Sequence, residues 1–282
     1  MPLVLKAASP PVTHRLESTI AVQVGQNRLE NHTSTVVQQT LLSKAADGYV
    51  IAVEVLDFHQ QATDLFSQVT ADLNLLSQRV VVRTDAHGCL AQVLNVPELM
   101  HQWHRMRPAL QQKYAGQPAV RPFLDSFEQQ LGAPGTFELS LRNKGIYGAL
   151  FPGLYGWALS SEEGNTSRRD LLNFFNQLHL PLLLTTSASP APADSSANEL
   201  TLNTTGLLDE SRFNALEFQR MMQSIVDDVR FPVALELEHT ETYDVDLASG
   251  WITRGVQALT AQVPGAYFQE SRHEIIPLSE AP

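Results

Sequence analysis

The hydrophobic pattern alternates with a period of two at both ends of the chain and changes to a helical period in the middle. Residues 12–24, 29–42 and 49–58 are extended, β-branched runs separated by Gly25-Gln-Asn27 and Ala46-Asp-Gly48. Their spacing predicts an antiparallel meander, since a parallel pair needs a long crossover. Between Thr63 and Gln78 the apolar positions Leu65, Phe66, Val69, Leu73 and Leu76 share one helical face. Residues 80–83 and 89–94 then predict a hairpin around Thr84-Asp-Ala-His-Gly88, with His87 as exposed turn chemistry.

Asn95, Pro97 and Glu98 have the spacing of a helix N-terminus with a capping box. The helix they open carries Leu99, Trp103, Met106 and Leu110 on one face, with Pro108 expected to bend or interrupt it. A second amphipathic segment holds Phe123, Phe127 and Leu131 and stops at Gly132. Phe137, Leu139 and Leu141 alternate as a short strand would. After the polar stretch 160–167, Ser167 and Asp170 are placed to cap a helix containing Leu171, Leu172, Phe175 and Leu178.

Strands are expected again at 180–186 and 199–203, and a helix over 209–229 with Phe213, Leu216, Phe218, Met222, Ile225 and Val229 on its apolar side. The low-complexity run 187–198 reads as an exposed, mobile loop. Extended runs at 233–238, 242–247, 251–261 and 266–277 close the chain as a second meander. The expected fold is therefore α+β: one large curved antiparallel sheet built from N- and C-terminal strands, with central helices on its concave face. Residues 1–282 would form a single domain; two subdomains, 1–186 and 199–282, are the alternative.

Composition narrows the function classes. At 282 residues and 43% hydrophobic the chain can bury a large core, and its net charge of −11 argues against nucleic acid as a partner. No segment has the roughly 20 apolar residues of a membrane-spanning helix. The lone Cys89 excludes an intramolecular disulfide and reads as a small apolar residue in a strand. As written, the N-terminus predicts a cytoplasmic protein, or a periplasmic or envelope-associated one if a leader has been removed.

Lys144 to Trp157 is the most distinctive stretch. Tyr147, Phe151, Tyr155 and Trp157 interleave there with Gly145, Gly148, Gly153 and Gly156, and no charge occurs from Gly145 to Ser161. It reads first as core that joins the two β-rich ends. As a site, Tyr147, Phe151, Tyr155 and Trp157, with Trp103, would bind a partner or an apolar ligand. His101 and His104 after Glu98 are the candidate metal ligands, although no longer zinc motif surrounds them. Glu236, Glu238, Asp244 and Asp246 could form a carboxylate cluster, but alternation turns the two glutamates to solvent. No serine-nucleophile or phosphate-loop motif is present, and no cofactor is implied.

Three segments also carry a resemblance: Gly48-Tyr-Val-Ile-Ala-Val-Glu, Val82-Arg-Thr-Asp-Ala-His-Gly-Cys-Leu-Ala-Gln-Val-Leu-Asn, and Tyr243-Asp-Val-Asp-Leu-Ala-Ser-Gly-Trp. In their strand-and-turn order the chain resembles the β-rich lipoprotein-carrier-like proteins of bacterial envelopes. The resemblance implies a long curved sheet wrapping helices over an apolar concave face. It covers the two β parts, leaves 96–185 unaccounted for, and transfers no functional residue. Three functions follow as expectations: a non-catalytic binding or assembly protein engaging a protein partner, a carrier of a lipid-like or other apolar ligand in a half-barrel cavity, and a metal-dependent hydrolase using the His101/His104 or Glu236/Asp244 groups.

Overall fold

The computed structural model describes residues 2–61, 64–74, 78–142, 145–157, 164–175, 177–190 and 198–278. Lys144, residues 160–163 of the expected polar loop and 191–197 of the low-complexity run lie outside them. The strands form one 11-stranded antiparallel sheet. β1 (Val12–Val24), β2 (Asn27–Ala45) and β3 (Gly48–Gln60) make the expected meander. β4 (Arg79–Thr84) and β5 (Leu90–Val93) extend it to one edge. β6 (Asn165–Phe175), β7 (Leu178–Pro190), β8 (Glu199–Leu208), β9 (Glu236–Asp246), β10 (Ile252–Val263) and β11 (Tyr267–Pro277) run in from the other edge. The two halves join where β1 pairs with β11, from His14 opposite Pro277 to Val24 opposite Tyr267. Both ends of the chain thus build one sheet, as its pattern predicts, and the sheet curves without closing.

Side chains alternate between an inner face, which carries the core, and an outer, largely polar face. Two apolar clusters occupy the inner face. The larger lies under α1 (Leu65–Asn74), α2 (Val96–Lys113), α3 (Val120–Gly132), α4 (Thr136–Leu141) and α5 (Gly145–Leu150), and includes Leu16, Val37, Ile51, Val82, Trp103 and Tyr243. The smaller is covered by α6 (Ala215–Val226) and includes Phe175, Leu180, Leu182, Phe218, Met222 and Leu259.

Several local expectations are corrected. Asn95 precedes α2 but does not cap it; its carbonyl accepts from Val81 N at 2.8 Å and its amide donates to Arg79 O at 2.9 Å, so the side chain extends the β4 edge instead. Pro108 sits within a continuous α2. Phe137 to Leu141 is helical: Gly135, at φ 76°, turns the chain into α4, and the adjacent Phe137 and Glu138 are both buried, which a strand facing water on one side would not allow. Residues 167–175 are strand, not helix. Their leucines have helical spacing because the register with β7 breaks between Leu171 and Phe175, where Asn173 takes φ 52°. Asp170 binds Arg212 at 2.8 Å rather than capping anything. Ser187 to Pro190 belongs to β7, and the runs 233–238 and 242–247 meet in the single strand β9. α6 starts late, at Ala215, after Asn214 caps Glu217 N; Leu216 and Val229, expected on its apolar side, are exposed.

Candidate functional site

Register brings together what the sequence scatters. On the inner face, residues in cross-strand register run Gln60, Thr33, Ser18, His273, Gln257, Glu241, Thr204, Thr186 and Asn165, from β3 through β1 and β11 to β6. Every one is polar. This row crosses the curved face between the two apolar clusters. Hydrogen bonds join some neighbours within it: His273 Nδ1 with Ser18 Oγ at 2.9 Å, Gln257 Nε2 to Glu241 Oε1 at 2.6 Å, and Thr186 Oγ1 with Thr204 Oγ1 at 2.8 Å.

Glu241 is the charged centre of the row, with no side-chain exposure, and it forms an ion pair with Arg169 of β6. His239 Nε2 bonds the same carboxylate at 3.0 Å. Arg169 also donates to Pro152 O at 2.7 Å, which ties β6 to the segment following α5. Burial alone would push the Glu241 carboxyl upward; the Arg169 charge and the His239 contact outweigh it and hold it at about 2. Two glycines make room for the rings beside it. A Cβ on Gly206 would meet His239 Cδ2 at 2.6 Å, and one on Gly255 would meet Tyr243 Cδ1 at 2.5 Å, so both rings lie flat on the sheet.

Two cavities flank this pair. The first, about 260 Å³, lies over the half of the inner face that α6 does not fill. Ile20, Leu171, Leu172, Phe174 and Leu259 form its apolar wall. His239, Gln257, Gln269, Ser271 and His273 form the other, and among the described residues no Lys or Arg lines it. Ile20 of β1 and Phe174 of β6 border one space although five strands separate β1 from β6, so the sheet's curl is what makes the cavity. The second, about 570 Å³, is lined by Leu90 and Ala91 of β5, Trp157, and Ser167 to Asp170 of β6. Both sheet edges therefore border one opening.

The aromatic stretch closes the inside of that opening. Tyr147, Phe151 and Tyr155 are buried. Tyr147 and Phe151 stack at 6.5 Å, Tyr155 OH donates to Gly250 O at 3.0 Å, and Tyr155 N donates to His87 O at 2.9 Å. Gly156 N donates to Leu3 O at 2.9 Å, so this one segment touches the N-terminal strap, the β4–β5 hairpin and the β9–β10 turn. Trp157 is half-buried, stacked on His87 at 4.5 Å. Trp103 is fully buried against Phe127 at 5.2 Å.

His101 and His104 stand exposed on α2, the latter 3.8 Å from Glu128. Among the described residues no three His, Cys, Asp or Glu side chains gather as a metal site would require. Asp244 accepts from Thr201 Oγ1 at 2.7 Å and Asp246 caps the turn at Ala248 and Ser249, while Glu236 and Glu238 face outward. Cys89 is half-buried beside Gly153, just ahead of β5, and burial pushes its thiol up to about 11. No helix among the described residues is long and apolar enough to cross a membrane.

Sequence reasoning missed Arg169, His239 and Glu241. Leu237, His239, Glu241, Tyr243 and Val245 share one parity, and an acid at an apolar parity was the available signal.

No family model and no curated protein matches the sequence. Among solved structures, a lipovitellin chain described by its lipid–protein interactions superposes with a TM-score of 0.48 and 11% identity. The match covers 96% of this chain and 25% of lipovitellin's, so the chain spans about a quarter of that protein.

Proposed function

We propose that this protein is a non-catalytic carrier of a small amphipathic molecule, held in the 260 Å³ cavity. The observation behind the reading is the cavity's two-sided lining: leucines and Phe174 face a wall of polar side chains across a space bordered by the curl of the sheet. Its volume lies just below the ~300–1,000 Å³ of drug-sized sites. A single chain with one head group fits that space; a two-chain lipid does not. Native mass spectrometry after gentle purification, with titration of decanol followed by calorimetry, tests the reading. A bound small mass, or saturable decanol binding abolished by Leu259→Trp, supports it. The absence of both overturns it.

Engagement of a protein partner is the second reading. It draws on Leu183 and Leu207, which are paired across β7 and β8 on the outer face and are 36% and 68% exposed. Leu207→Ser would weaken such association and leave decanol binding intact.

A further inference from the structure

We infer, on the carrier reading of the same cavity, that residues 172–174 of β6 form a flap over the 260 Å³ space, latched by the ring of His179, through which the ligand enters and leaves.

Strand geometry sets these residues apart from the rest of β6. Leu171 lies opposite Leu180 and Phe175 opposite Leu178, so three residues of β6 face the single His179 of β7. The surplus has to arch out of the ladder, as in other β-bulges, and Asn173 takes φ 52° within the arch. β6 is an edge strand of the sheet, so the arch is paired on one side, to β7.

A side chain holds the arch down. Asn173 N donates to His179 Nδ1 at 3.0 Å, and both residues are exposed, so water competes for the bond. The flanks are anchored more firmly. Leu180 is fully buried, and Phe175 packs on Phe218 at 4.8 Å and on Tyr267 at 5.3 Å. Firm ends and a lightly held middle let a short segment open without unfolding its neighbours.

Position gives the arch its role. Leu171, Leu172, Asn173 and Phe174 all border the cavity, and Asn173 is exposed to solvent as well, so the wall there is one residue thick. Leu172 also borders the 570 Å³ cavity, so a lifted arch connects the two spaces.

Exchange NMR of the full chain with isotope-labelled decanol measures koff, calorimetry gives Kd, and the two together give kon. His179→Ala removes the latch without touching the cavity wall. Loss of one neutral hydrogen bond should raise kon and koff together by about fivefold and leave Kd within about twofold. A residue that only shapes the wall would change Kd instead. Asn173→Val, whose β-branched side chain is disfavoured at φ 52°, should raise both rates as well. Circular dichroism and urea midpoints report whether the variants fold; His179→Ala, at an exposed position, decides alone if Asn173→Val does not. If decanol binds and His179→Ala leaves both rates unchanged, or alters Kd without altering kon, the flap is overturned while the carrier reading stands. If decanol does not bind, the carrier reading falls and the flap with it.

Discussion

Replacing Arg169 by methionine removes the charge opposite Glu241 while keeping an unbranched apolar stem along the inner face. Glu241 has no exposed side-chain surface, so it cannot recover hydration; among the described residues His239 and Gln257 remain as its side-chain hydrogen-bond partners. Breaking a buried pair by removing one partner typically costs about 3–5 kcal/mol. The carboxyl itself gives a similar figure. Holding it at about 2 against an ordinary 4.5 corresponds to about 3 kcal/mol at neutral pH. For 282 residues the unfolding entropy is roughly 0.6 kcal/mol per kelvin, so the melting temperature should fall by about 5–8 °C. Urea denaturation of the wild type, Arg169→Met, Glu241→Leu and the double variant forms the appropriate cycle. Each single variant should lose several kcal/mol, and the double should recover most of it, because an apolar pair of similar volume leaves no buried charge. The linkage has a definite sign. A depressed carboxyl stabilises the fold above its unfolded value near 4.5, and that contribution disappears as pH falls through about 2. Single variants within 1 kcal/mol of wild type, or a double variant that costs the sum of both, would refute the reasoning.

Histidines should produce a separate loss at milder acidity. His14 and His273 are each lowered to about 4, chiefly by burial, so their neutral forms stabilise the fold fully above 6.5, and the contribution is lost as pH drops toward 4; urea midpoints across that range should fall, and His273→Gln should flatten the decline. Gly255→Val should cost about 1–3 kcal/mol in denaturant melts, because its side chain would displace the buried Tyr243 ring. Gly48→Ala is expected to be worse, since its Cβ would meet Thr84 O at 2.1 Å, and backbone cannot rotate away; soluble yield and thermal melting measure it. His101→Ala and His104→Ala should each shift stability by less than about 0.5 kcal/mol, and added zinc should not raise the melting temperature of the wild type.

How far the sequence revealed this molecule depended on whether local pattern and tertiary structure agreed. β1 to β3 and β10 to β11 alternate cleanly and are joined by short turns, so their pairing follows from covalent connection. β6 conceals itself: a register break in mid-strand gives its leucines a helical period, and Ser167 with Asp170 imitates a cap. The site was less legible still. Glu241 lies between two runs that each looked like a complete strand, and its partner Arg169 is 72 residues away. Alternation carried through His239 would have placed that acid inward, but no local signal names the cation that must answer it. The aromatic stretch from Tyr147 to Trp157 drew attention for the opposite reason. Its composition is conspicuous because one short segment must fill the space between several distant elements, which is a packing demand.

The polar row poses a question of specificity. A wholly apolar inner face would bury more surface, yet a two-residue slip of any strand would then exchange one hydrophobic side chain for another at little cost. With Ser18, His273, Gln257 and Glu241 in register, the same slip of β10 in one direction would put Leu259 opposite Glu241 in place of Gln257, and that of β11 would put Ile275 opposite Ser18 in place of His273, each losing a buried hydrogen bond. The Ser18–His273 bond sits on the β1–β11 seam, where the two halves of the chain must find each other with no covalent turn to guide them. The row also bounds the cavity: on one side the face is filled by α1 to α5, and on the other, where α6 covers only part of the sheet, the polar groups have space in front of them. Register and cavity wall thus share residues: Gln257 and His239 both bond the Glu241 carboxylate and both border the cavity.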